Sequence, residues 1–261
     1  MLRAIGFDLW ETLITDTPDL SRQQERLRLT RMEAILRSRG HDAEAARIER
    51  AYRSLWHQCH QLYWSEDRDV PCRRQIEHFL EGLELHPRSF SEESLEELEH
   101  AYANAAVEIP PAIVPGAADI LPALRERGLS IGLISNTGRT PGYALREILE
   151  RLGLAGFIDV MVFSNEHGVC KPQQSIFEEL RRGLDVAYEE MMFVGDNLHV
   201  DVYGAQRVGM RGVHFVPPVR GTAVAPPIEV GEEVVPHARV TRLEELLGVV
   251  DVLSAECCER E

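Results

Sequence analysis

From residue 112 onward the sequence alternates apolar runs with amphipathic stretches, and this alternation constrains the fold more than any other feature. AADILPALRERG has helical periodicity and a stop at Gly128; LSIGLIS follows as an apolar strand. YALREILERLG and FIDVMVFS repeat the pair, as do SIFEELRRGL and MMFVGD. Val202 to Val208 then reads as helical and GVHFV as a strand, the fifth once residues 4–9 at the start of the chain are included. Strands alternating with helices imply a parallel sheet joined by right-handed crossovers. The expected class is therefore α/β, a Rossmann-like parallel sheet core.

Between the first strand and residue 112 the pattern changes to helix only. RQQERLRLTRMEAILRSRG has apolar residues at 29, 32, 35 and 36 and ends at Gly40. Asp42 is placed to N-cap the next helix, AEAARIERAYRSLWHQCHQLYW. RRQIEHFLEGL makes a third helix. A fourth starts near Ser91, with acidic residues in its first turn that suit the helix dipole. Pro110-Pro111 and Pro115-Gly116 end the run. The expected organisation is a core of residues 1–16 and 112–261, with an inserted helical cap domain of residues 17–111. Residues 217–236, rich in Pro, Val and Gly, read as a loop, and RLEELLGVV as a last helix. There is no internal repeat and no low-complexity tract.

Charge narrows the possible partners. The formal net charge is −15, from 43 acidic and 28 basic residues. A field of that sign argues against non-specific nucleic-acid binding, and a phosphate-handling site would need local cations of its own. No apolar stretch reaches membrane-span length, and the N-terminus carries no signal-peptide pattern, because its apolar run is one strand long and contains Asp8. The five cysteines, at 59, 72, 170, 257 and 258, include no C-x-x-C pair. A reduced, cytoplasmic setting is the simplest expectation.

Polar signals follow the apolar runs in order. Asp8 ends the first strand, with Thr12 four residues on. Ser135-Asn136-Thr137 follows IGLI, Lys171-Pro172 follows a loop, and Gly195-Asp196-Asn197-Leu198-His199-Val200-Asp201 follows MMFV. The first three are weak alone, since strand-end Asp, Ser-Asn turns and solvated Lys-Pro loops are common; GDNLHVD, with Asp196 and Asp201 five residues apart after a strand, is the most specific. Together they resemble the four motifs of the haloacid dehalogenase-like (HAD) hydrolase superfamily. The helical insertion falls where C1-capped members of that superfamily carry their cap, and PGAADILPALRERG looks like the return from cap to core. The resemblance covers about residues 1–16 and 112–250, and the cap by position only.

The resemblance implies a nucleophilic Asp8 that forms an aspartyl-phosphate. Ser135 and the backbone N–H of Asn136 would hold the transferring phosphoryl group, and Lys171 would offset charge at the nucleophile. Mg²⁺ would be bound by Asp8, Asp196 and the backbone carbonyl of Trp10, with Asp201 beside it. The substrate would be a small phosphate ester or acyl phosphate.

Position 10 departs from the pattern. Phosphatases of the superfamily carry there a second Asp that protonates the leaving group, help typically worth about 10²–10⁴-fold. Glu11 is adjacent, but neighbouring side chains of an extended segment point opposite ways. Asn197 and His199 are the other polar residues of the site loop. An aromatic at position 10 is similar to the FDxYGTL pattern of 2-haloacid dehalogenases, which need no metal, yet those enzymes lack the acid that is here Asp196. Three readings thus stand: a Mg²⁺-dependent phosphatase, a metal-independent dehalogenase, and a catalytically weak protein that binds a ligand or partner. The acidic fourth motif favours the first.

Smaller signals have plainer readings. Tyr52, Trp56, Cys59 and Tyr63 form a stripe at helical spacing, expected to be cap core before a substrate wall. His57, Cys59 and His60 do not share one ligand direction. Arg73 and Arg74 read as a solvated face before an anion site, and Cys257-Cys258 as part of a frayed polar tail.

Overall fold

A computed structural model describes residues 1–218, 221 and 234–258. Strand β1 (Ala4–Phe7) is buried at every position, as an apolar run covered on both faces must be. A short β2 (Ile14–Thr15) leads into five helices: α1 (Pro18–Ser38), α2 (Ala45–Leu62), α3 (Cys72–Gly82), α4 (Glu92–Ala103) and α5 (Ala105–Glu108). β3 (Ala112–Ile113) brings the chain back. Alternation follows: α6 (Ala117–Glu126), β4 (Ser130–Ser135), α7 (Gly142–Arg151), β5 (Val160–Phe163), α8 (Ser164–His167), α9 (Gln174–Leu184) and β6 (Met191–Gly195). A turn of π-helix (Leu198–Tyr203), α10 (Gly204–Arg207), β7 (Arg211–Phe215), β8 (Ala238–Val240) and α11 (Leu246–Cys258) complete the described chain.

The sheet has six strands in the order β5-β4-β1-β6-β7-β8, all parallel. The α/β expectation holds, with one strand more than the five read from sequence. Alternation sorts β1 between two cores: Ile5 and Phe7 join the cluster that contains Leu121, Leu124 and Leu145, while Ala4 faces Phe177 and Leu180 of α9.

Two helices start on side-chain caps. Thr17 caps α1 by accepting from the Leu20 N–H at 3.2 Å, and Ser91 caps α4 by accepting from the Ser94 N–H at 3.2 Å. Asp42 does not cap α2, which starts at Ala45 with no side-chain cap. Its carboxylate lies 3.6 Å from Arg37 instead. The C-terminal helix is longer than RLEELLGVV and carries the chain through Cys257-Cys258, positions expected to fray. Most of the expected 217–236 loop lies outside the described residues.

The helical insertion is tied down at both roots and at its far side. β2 and β3 pair antiparallel, Ile14 with Ile113 and Thr15 with Ala112, so entry and exit run side by side. Elsewhere Arg68 bridges Val169 antiparallel. The Asp69 N–H donates to Gly168 O at 3.0 Å and the Cys170 N–H to Asp67 O at 2.7 Å. Among the described residues no helix is long and apolar enough to cross a membrane.

Candidate active site

Asp8 follows β1, and its N–H donates to Val194 O at 2.8 Å, one step past the ladder with β6. The chain leaves β1 for β4 and β5 on one side, then reverses to β6, β7 and β8 on the other. Such a switch point opens a crevice at the carboxyl ends of the strands. Asp8 lies there, only 7% exposed. The Thr12 hydroxyl donates to its Oδ2 at 3.3 Å.

Lys171 is the centre of the cluster. Its Nζ lies 2.5 Å from Asp8 Oδ1, 2.7 Å from Asp201 Oδ1 and 3.0 Å from Ile134 O, and the side chain is 1% exposed. The Asn136 amide fixes the Lys171 backbone from both sides: the Lys171 N–H donates to Oδ1 at 2.8 Å and Nδ2 donates to the Lys171 carbonyl at 3.1 Å. Asp201 sits on the turn of π-helix, a form that recurs at functional sites. A Cβ on Gly195 would stand 2.3 Å from the Asp201 carboxylate, so only glycine there leaves room for it. The Asn197 N–H donates to Asp201 Oδ2 at 3.0 Å and completes its hold.

Asp8, Asp196 and Asp201 each offer a carboxylate oxygen, all within 4.8 Å of one another. Three carboxylates and the Lys171 ammonium converge here in a largely buried place. An all-oxygen donor set of this charge fits a hard divalent cation and offers nothing to a softer one. Burial pushes the Asp8 carboxyl up to about 6, a rise that Lys171 opposes and Asp201 reinforces. Burial works against the Lys171 ammonium, but Asp201 and Asp8 outweigh it and hold its pKa above the ordinary lysine value. The Ser135 hydroxyl is fully buried with no hydrogen-bond partner, an exception among buried polar groups that points to a ligand-directed role.

The remaining sequence candidates separate. Trp10 packs partly buried against the hydrophobic core, while its backbone bridges Ile14. Glu11 adopts a left-handed φ of 62° and spends its carboxylate on the Thr15 hydroxyl and the Gly221 N–H. Asn197 caps its own turn, accepting from the N–H groups of His199 and Val200 at 2.9 and 3.2 Å. His199 stacks on Tyr203, ring centroids 5.4 Å apart. Arg73 is ion-paired with Glu92 and Glu99, and Arg74 with Glu77. His57 and His60 are exposed while Cys59 is buried, so these three do not converge. The α2 stripe is divided: Tyr52 and Cys59 are buried, but Trp56 is 38% exposed and meets the loop after β4.

Sequence reasoning does not reach Asp69, which joins the insertion to the core. Its Oδ2 accepts from the Thr137 hydroxyl at 3.0 Å and the Ser164 hydroxyl at 2.5 Å. Its Oδ1 accepts from Trp64 Nε1 and the Val70 N–H, both at 2.8 Å. An acid inside the polar run SEDRDVP gives no sign of such convergence; only the Ser-Asn-Thr turn hinted that this core loop matters. Asp69→Ala strands the buried Thr137 and Ser164 hydroxyls and the half-buried Trp64 Nε1–H. It is expected to lower unfolding free energy by on the order of 3 kcal/mol, read as a lower urea midpoint at unchanged slope.

A family model described as haloacid dehalogenase-like hydrolase matches residues 2–209. The glyceraldehyde 3-phosphate phosphatase of Pyrococcus abyssi is 39% identical over 102 residues, 39% of this chain and 42% of that protein. The ribulose-1,5-bisphosphate 5-phosphatase of Halopiger xanaduensis is 36% identical over 140 residues, 54% of this chain and 57% of that protein. The chain thus spans about half the length of these curated relatives. The structure of 2-haloacid dehalogenase from Pseudomonas syringae pv. Tomato DC3000 superposes with a TM-score of 0.67 at 22% identity, covering 96% of this chain and 99% of that one, a likeness of fold. On the family match over most of its length, the chain belongs to the haloacid dehalogenase-like hydrolases.

Proposed function

We propose that this hydrolase is a Mg²⁺-dependent phosphatase acting on a small phosphorylated metabolite through an aspartyl-phosphate on Asp8. The observation that carries this reading is the carboxylate triad Asp8, Asp196 and Asp201 around a single lysine. Three acids in so small a space repel an anionic substrate unless a cation joins them. The phosphatase names of the relatives support the same choice over dehalogenation.

In this mechanism Asp8 attacks phosphorus and the leaving alkoxide or acyl oxygen departs; water then releases phosphate and restores the carboxylate. Lys171 offsets charge on Asp8 and on the phosphoryl oxygens as the pentavalent geometry develops. Ser135, whose hydroxyl has no partner in the protein, donates to one phosphoryl oxygen, and the Asn136 N–H to another. Asp8, Asp196 and the Trp10 carbonyl would hold Mg²⁺, with Asp201 beside it; when bound, the ion would offset the charge of the carboxylates and the phosphate. Residues 17–111 act as the cap over this crevice. Three buried free thiols, Cys59, Cys72 and Cys170, suit the reducing cytoplasm in which we place the protein.

Among the described residues, no candidate of the sequence reading stands ready to replace the acid missing at Trp10, and His199 is stacked on Tyr203. Glu11 and Asn197 are engaged elsewhere. Rates are therefore expected to depend steeply on the leaving group, with acyl and aryl phosphates cleaved at least tenfold faster than alkyl phosphates. Steady-state kinetics on an acetyl, 4-nitrophenyl and ethyl phosphate series, with chemistry shown to limit, tests this. Equal rates across the series would mean that another residue supplies the proton. Halide release from a 2-haloacid in the presence of chelator would replace phosphoryl transfer with the dehalogenase chemistry that Trp10 resembles.

A further inference from the structure

We propose that Arg139 anchors a carboxylate subsite at the seam between the helical insertion and the core, so that the preferred substrate is a phosphate ester carrying a carboxylate. This rests on the phosphatase reading for the ester, and on Arg139's own surroundings for the carboxylate.

Arg139 lies four residues beyond Ser135, on the loop that leaves β4. Four residues span about 14 Å at most, which keeps Arg139 in the neighbourhood of Ser135. The loop is held in place for this purpose. Gly138 takes a left-handed φ of +70°, and a Cβ there would stand 3.2 Å from the Trp56 ring. Gln75 Nε2 donates to the Gly138 carbonyl at 2.8 Å, and Gln75 is oriented in turn by the Tyr102 hydroxyl at 2.9 Å.

The guanidinium of Arg139 is packed but not neutralised. Its Cζ lies 4.7 Å from the Tyr52 ring centroid and 5.0 Å from that of Trp56. Its Nε is buried with no hydrogen-bond partner. Among the described residues no carboxylate stands within ion-pair distance of it; Glu25, whose charge reaches it, is paired with Arg53 at 3.3 Å. Beside it the buried Arg28 gives its Nε to Tyr102 O at 2.8 Å and approaches the Thr140 hydroxyl at 3.5 Å. Two arginines thus stand near Tyr102 in a chain of net charge −15, while many of the others pair with acids on the surface.

Aromatic packing satisfies part of a guanidinium, but its in-plane N–H groups still require acceptors. A planar anion that accepts from Nε and a terminal nitrogen together fits this fork. One positive charge at the fork matches one carboxylate. A second phosphate would carry more charge than Arg139 compensates.

Calorimetric binding in Mg²⁺ buffer tests this independently of turnover. The wild-type protein is expected to bind phosphonoacetate at least tenfold more tightly than 2-hydroxyethylphosphonate. Arg139→Gln should reduce that preference below threefold, and Arg139→Lys, which keeps the charge without the fork, should fall between. In turnover, kcat/KM for phosphoglycolate should exceed that for 2-hydroxyethyl phosphate, and Arg139→Gln should cut the first by at least ten times more than the second. Equal wild-type affinities, equal losses on both ligands, or tighter binding of methylenebisphosphonate than of phosphonoacetate would overturn the subsite. Should no ester be hydrolysed while the phosphonate preference stands, the phosphatase reading fails and the subsite survives.

Discussion

Asp8→Asn is expected to lower phosphatase turnover by roughly 10³-fold or more while leaving a folded protein. The loss falls on kcat, because an amide cannot form the acyl phosphate, whereas Ser135, Asn136 and Lys171 still meet the phosphoryl group. The stability of the variant carries a second expectation with a defined sign. Burial raises the Asp8 pKa from 3.8 to about 6 in the folded chain. A carboxyl with a raised folded pKa favours folding below pH 3.8 relative to neutral pH, and that advantage is lost as pH rises through about 6. Measured in chelator, Asp8→Asn should therefore be at least as stable as wild type at pH 7.5, and the difference should shrink toward pH 4. Thermal unfolding at the two pH values, alongside activity, checks both. Full turnover in the folded variant would end the covalent mechanism, and a variant much less stable at pH 7.5 would mean that the Lys171 contact outweighs the cost of burying Asp8.

The parts of this site that were legible in the sequence are those fixed by local order. Asp8, Ser135 and Asp196 each follow an apolar run, and parallel strands of one sheet bring their carboxyl ends to one side by topology alone; Lys171 reaches them from the loop between α8 and α9. β2 and β3 have two residues apiece and β8 has three, too few to show a period of two. Asp42 was a sound capping residue by type, but α2 begins three residues later and the carboxylate turns toward Arg37. The seam between insertion and core was not legible. Asp69 bonds Thr137 and Ser164 across 68 and 95 residues, and Arg139 stacks on residues of α2. No local pattern announces partners that only tertiary packing supplies. Trp56 shows the same limit: its place in the α2 stripe fitted cap core, and its exposed edge against Gly138 depends on how the two parts of the fold meet.

Removal of divalent cations is expected to stop phosphatase turnover, and Asp196→Ala to reproduce that loss in Mg²⁺. The reason is electrostatic. Lys171 lies between Asp8 and Asp201 and shares its single charge between the two, while Asp196 brings a third carboxylate to the cluster. A phosphate ester adds up to two more, in a buried place where like charges at such distances repel strongly. Without a cation the ester should neither bind well nor react, so both kcat and affinity should fall. A readout free of turnover follows from linkage: a cation bound only by the folded chain stabilises it by about 2.7 kcal/mol at a hundredfold excess over its dissociation constant. Mg²⁺ should therefore raise the melting temperature of wild type and not that of Asp196→Ala. Because protons and the cation compete for the same carboxylates, and the Asp8 carboxyl is held up to about 6, the Mg²⁺ shift should be larger at pH 7.5 than at pH 5. A wild-type melting temperature indifferent to Mg²⁺ at both pH values, with phosphatase activity that survives chelator, would show that Lys171 alone balances the cluster, and Asp196 would then have to be explained without a metal.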